Sequence, residues 1–105
     1  MSNPQDDIIP FRLSVQRALL GMTFPSMRAV SVQMVKGIRV AWVFLDSDPT
    51  SELLECVSEI ETEILADFHD NHVSVRWMTL GVGTPLPLDQ GVFVYVRFDP
   101  SRGCT

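Results

Sequence analysis

The sequence predicts an α+β domain with elements in the order αββαββ: a single, mainly antiparallel four-stranded sheet with two helices packed on one face. Three observations lead there. Apolar residues recur at helical spacing in two stretches, they alternate in four others, and glycine, proline and aspartate punctuate the joins. The 105 residues, 46% of them hydrophobic, suffice for one core, so 1–105 reads as a single domain with flexible ends at 1–6 and 101–105.

Asp7 followed by Ile8-Ile9-Pro10 predicts the first helix start, because proline is tolerated in a first turn. Phe11, Val15, Ala18, Leu19 and Met22 then share a face, and Gly21 and Pro25 mark the end. Leu13 and Leu20 fall on the opposite side, so either the helix is covered on two sides or one stripe meets a second chain, as in a homodimer. Arg28 to Phe44 reads as a hairpin turning at Lys36-Gly37. Its second strand is apolar on both faces and so belongs in the middle of the sheet.

Asp48-Pro49 has the form of a cap and first helical residue, predicting a second helix to about Asp70. Strands are expected at Val73–Leu80, with Val73, Val75 and Trp77 on one face, and at Val92–Phe98, joined by a glycine- and proline-rich loop. The sheet face away from the helices is expected to be wetter, though Met78, Leu80, Phe93 and Tyr95 make it partly apolar.

The second helix carries the most information. At about 100° per residue, Leu53, Val57, Ile60, Ile64 and Phe68 form its inner stripe, while Glu52, Glu55, Glu59 and Glu63 lie together outside. Between Val40 and Val75 there are nine acids and no lysine or arginine. A helix face that served only solubility would ordinarily mix signs and gain i,i+4 ion pairs. This one suits a basic partner, whose approach it would steer. Glu61 falls on the buried side and is expected to form a structural ion pair with Arg28 or Arg17.

Several chemistries are disfavoured. The net charge of −5, with Lys36 the only lysine, argues against direct nucleic-acid binding. The start lacks the basic and apolar regions of a signal peptide, and no run approaches the roughly 18–20 apolar residues that span a bilayer, so a cytoplasmic protein with no membrane partner is expected. Cys56 and Cys104 then read as free thiols. The cluster Asp67-Phe68-His69-Asp70-Asn71-His72 matches no metal-loop spacing, and Gly81-x-Gly83 lacks the rest of a dinucleotide fingerprint. No catalytic pattern, metal or cofactor is expected.

Arg17-Ala-Leu-Leu-Gly21, Arg28-Ala-Val-Ser-Val32, Phe44-Leu-Asp46 leading to Pro49, Ser58-Glu-Ile-Glu-Thr-Glu-Ile-Leu-Ala-Asp-Phe68 and Tyr95-Val-Arg97 cover most of the chain in order. In these segments the sequence resembles small bacterial immunity proteins of contact-dependent growth inhibition and other polymorphic toxin systems. The resemblance implies a small α/β protein that neutralises a cognate toxin domain, commonly a nuclease, without chemistry of its own. The acidic surface of Asp46, Asp48, Glu52, Glu55, Glu59 and Glu63 is then expected to meet a basic cleft on the toxin, with Trp77 and the Gly81–Gly91 loop as further contacts. The alternative is a homodimeric structural or regulatory binding module with no toxin partner.

Overall fold

The fold is that of a computed structural model, described over residues 4–68, 72–81, 83–87, 89 and 91–97, with side chains from Ile8 onward. Its elements are α1 (Pro4–Ala18), β1 (Met27–Val35), β2 (Ile38–Leu45), α2 (Ser51–Leu65), β3 (Val73–Thr79) and β4 (Val92–Val96). The strands lie in the order β3-β2-β1-β4, so β2 is central, as its two apolar faces require.

Lys36 and Gly37 both have positive φ, 51° and 81°, the geometry of a two-residue turn whose twist matches the flanking strands. The resulting β1–β2 hairpin is antiparallel, and β4 adds antiparallel to β1. In contrast, β3 runs parallel to β2, so the sheet is mixed, with two of its three pairings antiparallel and one parallel. The cause is the connection: β2 and β3 are joined through α2, and a helical crossover returns the chain to the same end of the sheet.

Phe11, Val15, Ala18 and Leu19 from the α1 region and Ile60 and Ile64 from α2 share one buried cluster with Met27, Val30, Val32, Ala41, Val43 and Leu45. Val30 lies opposite Val43 and Val32 opposite Ala41, so these residues mark one face of the sheet. The other face is drier than expected: Ala29, Ser31, Val40 and Phe44 are buried, and Phe44 lies between the rings of Trp42 and Phe93. Tyr95, expected on that second face, packs against the helix-side cluster. A register shift between β1 and β4 at Val30/Ser31 breaks the alternation, leaving Phe93 and Tyr95 on opposite sides.

Element ends also moved. The first helix starts at Pro4, so 4–6 are helical and Pro10 sits inside the helix, where one i→i−4 bond is forgone. The second helix stops at Leu65, and its cap is Thr50 rather than Asp48: the Thr50 hydroxyl accepts from the Leu53 amide at 3.2 Å. Phe98, the tail 101–105 and Cys104 lie outside the described residues.

Candidate protein-binding face

Capping by Thr50 and burial of Val57, Ile60 and Ile64 fix the rotation of α2. Glu52, Glu55, Glu59 and Glu63 are consequently all exposed, and none makes a hydrogen bond or ion pair among the described residues. Asp48 is exposed just ahead of the helix.

Asp46 behaves differently. Its Oδ2 lies 2.8 Å from Arg97 Nη1, with both side chains 23% exposed, and its amide donates to the Ser26 carbonyl. Arg97 also donates to the carbonyl of Pro25. Asp46 thus fastens the end of β4 to the turn before β1, and its charge is largely spent inside the molecule. Trp77 is 44% exposed on the edge strand β3. It lies on the β3 side of α2, which Glu61 faces, whereas Glu59 and Glu63 line a groove toward α1.

Glu61 is half-buried but forms no pair with Arg28 or Arg17. Its Oε2 accepts from the Val75 amide at 3.1 Å. The pairing of Leu80 with Leu45 and of Arg39 with His72 leaves the odd-numbered amides of β3 pointing to the open edge. Glu61 therefore blocks part of that edge. Arg28, buried at a β-bulge, donates from Nη1 to the carbonyls of Leu80, Gly81 and Thr84 at 3.2, 3.0 and 2.8 Å. Among the described residues, carbonyl oxygens and not a carboxylate hold this guanidinium, and through it the chain leaving β3.

Arg17 pairs with Asp67, which also accepts from the Ser14 hydroxyl at 2.6 Å. The Ser14 bond does most to hold the Asp67 carboxyl below its usual range; burial opposes it, and the Arg17 bond and charge lower it further. Asp67, just beyond the end of α2, is thus a tether between the two helices. Above this tether lies a groove of about 380 Å³, with Arg17, Ala18, Leu20 and Met22 on one side and Glu59, Thr62 and Glu63 on the other.

Cys56 is half-buried and free. Of the Asp67–His72 cluster, 69–71 lie outside the described residues, among which no group of three metal-capable side chains occurs. No helix among the described residues is long and apolar enough to cross a membrane.

No curated protein matches the chain. The family model of the MafI2 immunity protein, however, matches residues 9–99. That span takes in most of α1 and every later element, so the chain belongs to the MafI2 immunity protein family, a family of immunity proteins and not of enzymes.

Proposed function

We propose that this chain neutralises a nuclease-type toxin domain in the cytoplasm by laying the outer acids of α2 over a basic, nucleic-acid-binding cleft. Membership of an immunity family implies a cognate toxin partner. The observation that carries the rest is the row Glu52, Glu55, Glu59 and Glu63, exposed and without a hydrogen bond or ion pair among the described residues, in a stretch with no lysine or arginine. Asp48 extends the row, whereas Asp46 serves the fold and Trp77 is at most a peripheral contact.

Like charges at i,i+4 cost a few tenths of a kcal/mol each, so the row is mildly unfavourable for the helix alone. Opposite a cationic cleft the same row accelerates encounter, from rates near 10⁵–10⁶ M⁻¹s⁻¹ toward about 10⁸ M⁻¹s⁻¹ at low salt. The test uses the cognate toxin domain as a catalytically inactive variant. Joint replacement Glu52→Lys and Glu55→Lys is expected to slow association roughly tenfold and to flatten its salt dependence. Unchanged association kinetics would remove this face as the interface.

Self-association is the second reading, favoured by Ile9 and Leu13, which are 55% and 62% exposed one turn apart on α1. Sedimentation at micromolar concentration tests it: a strictly monomeric species would remove its support.

A further inference from the structure

We infer that the groove between α1 and α2 receives one arginine side chain of the toxin, its stem on the apolar wall and its guanidinium between Glu59 and Glu63. This rests on the reading of the outer acids as the toxin-facing surface, and it specifies where that surface is anchored.

The apolar wall is built by the way α1 ends. Leu19 turns into the core and is 7% exposed, while Leu20, at 78%, is the most exposed large apolar side chain among the described residues. Backbone bonds from Leu20 to Arg17 and from Met22 to Leu19, with Gly21 at φ 78°, hold that turn in place. Leu20 therefore presents an exposed apolar surface beside Met22, which is itself half-buried against the core.

The acidic wall is equally fixed. Glu59 and Glu63 are one helical turn apart, which puts their Cβ atoms about 5–6 Å from each other. Arg17, the cation nearest at hand, is directed to Asp67, and the Ser14 hydroxyl holds Asp67 in place. The two glutamates thus make no ion pair among the described residues, and the groove is anionic on one side and, apart from Arg17, apolar on the other.

Size and chemistry select the occupant. A volume of about 380 Å³ is at the low end for a binding pocket. A helix, about 10–12 Å across with its side chains, does not fit, but a long side chain does. The lining calls for an apolar stem ending in a cation, which is the form of lysine or arginine. Arginine fits better: its planar fork of five donors can bond two carboxylates at once, and it gives up water more readily than the compact ammonium of lysine. An arginine seated in a pocket is also a common energetic anchor of protein interfaces.

The test measures binding of the inactive toxin domain to the full chain and three variants. Thr62→Trp plugs the groove from an exposed position of α2 and leaves both carboxylates in place; Glu63→Gln removes one charge; Glu52→Lys with Glu55→Lys alters the acid row outside the groove. The inference expects Thr62→Trp and Glu63→Gln each to weaken binding roughly tenfold through faster dissociation, with unchanged melting temperatures. Each surface arginine of the toxin is then replaced by methionine. One of them should weaken binding to the wild-type chain about tenfold and have little further effect against Glu63→Gln. Wild-type binding by both groove variants, or coupling of Glu63 to no arginine, overturns the inference. If Glu52→Lys with Glu55→Lys still slows association in that case, the acid row stands and only the groove falls. If it does not, both readings fall together.

Discussion

Asp46 and Glu59 belong to the same run of acids without a lysine or arginine, yet the fold treats them in opposite ways. Around Asp46 charge is consumed: Arg97 takes the carboxylate, and the neighbouring Arg28 is buried against three carbonyls. On the outer face of α2, Glu52, Glu55, Glu59 and Glu63 have no partner among the described residues. The first region uses charge to hold chain segments together that are far apart in sequence. The second leaves it in water, at a small cost to the helix, where another protein can reach it. Removing a charge should therefore lower stability in the first region and binding in the second.

The largest expected effect is at Arg28. Arg28→Met keeps much of the stem but strips the donor from three carbonyls, and should lower unfolding free energy by about 3 kcal/mol in urea titration. A loss below about 1 kcal/mol would mean that water replaces the guanidinium easily and that the contrast is overstated. Thr50→Ala removes the cap that sets the rotation of the acid row and should cost about 1 kcal/mol. Asp46→Asn weakens a partly exposed pair and should cost about 0.5–1 kcal/mol with toxin association unchanged. If association slowed instead, Asp46 would belong to the binding face after all.

The α1–α2 tether adds a pH signature. The folded Asp67 pKa lies below its ordinary value, so the tether's contribution is complete above the ordinary aspartate range and is lost as pH falls through the lowered pKa. Asp67→Asn should lower stability at neutral pH, flatten the acid limb of a stability-versus-pH curve and converge with the wild type at low pH. Smallest of all, Glu55→Lys should change stability by no more than about 0.5 kcal/mol, because an exposed position loses repulsion and gains a possible i,i+4 pair with Glu59. A large destabilisation would show that the row is structural.

Much of this fold can be read locally. The Lys36-Gly37 turn, the central position of β2 and the inner stripe of α2 all follow from short-range pattern, and the exposure of the four glutamates follows from the stripe. What escaped depends on direction or distance. Alternation in β3 does not say whether the strand runs with or against β2; the helical connection does, and it makes the pair parallel. One irregularity in β4 moved Tyr95 to the other face. Arg28, Asp46 and Asp67 each meet partners some fifty residues away, and no spacing rule reaches that far. Asp48 and Thr50 are both competent caps two positions apart, so composition alone could not choose between them. The groove was hidden for a similar reason, since one wall comes from the turn that ends α1 and the other from the middle of α2.

The most direct measurement of the central claim is a map of backbone amide resonances, or of amide exchange, in the chain with and without the inactive toxin domain. The account predicts that the changes centre on α2 from Glu52 to Glu63 and on the turn around Leu20, while the amides near Asp46 and Arg97 keep their free-state values. Changes centred on the exposed stripe of Ile9 and Leu13 or on the β3 edge at Trp77, with α2 unaffected, would contradict it.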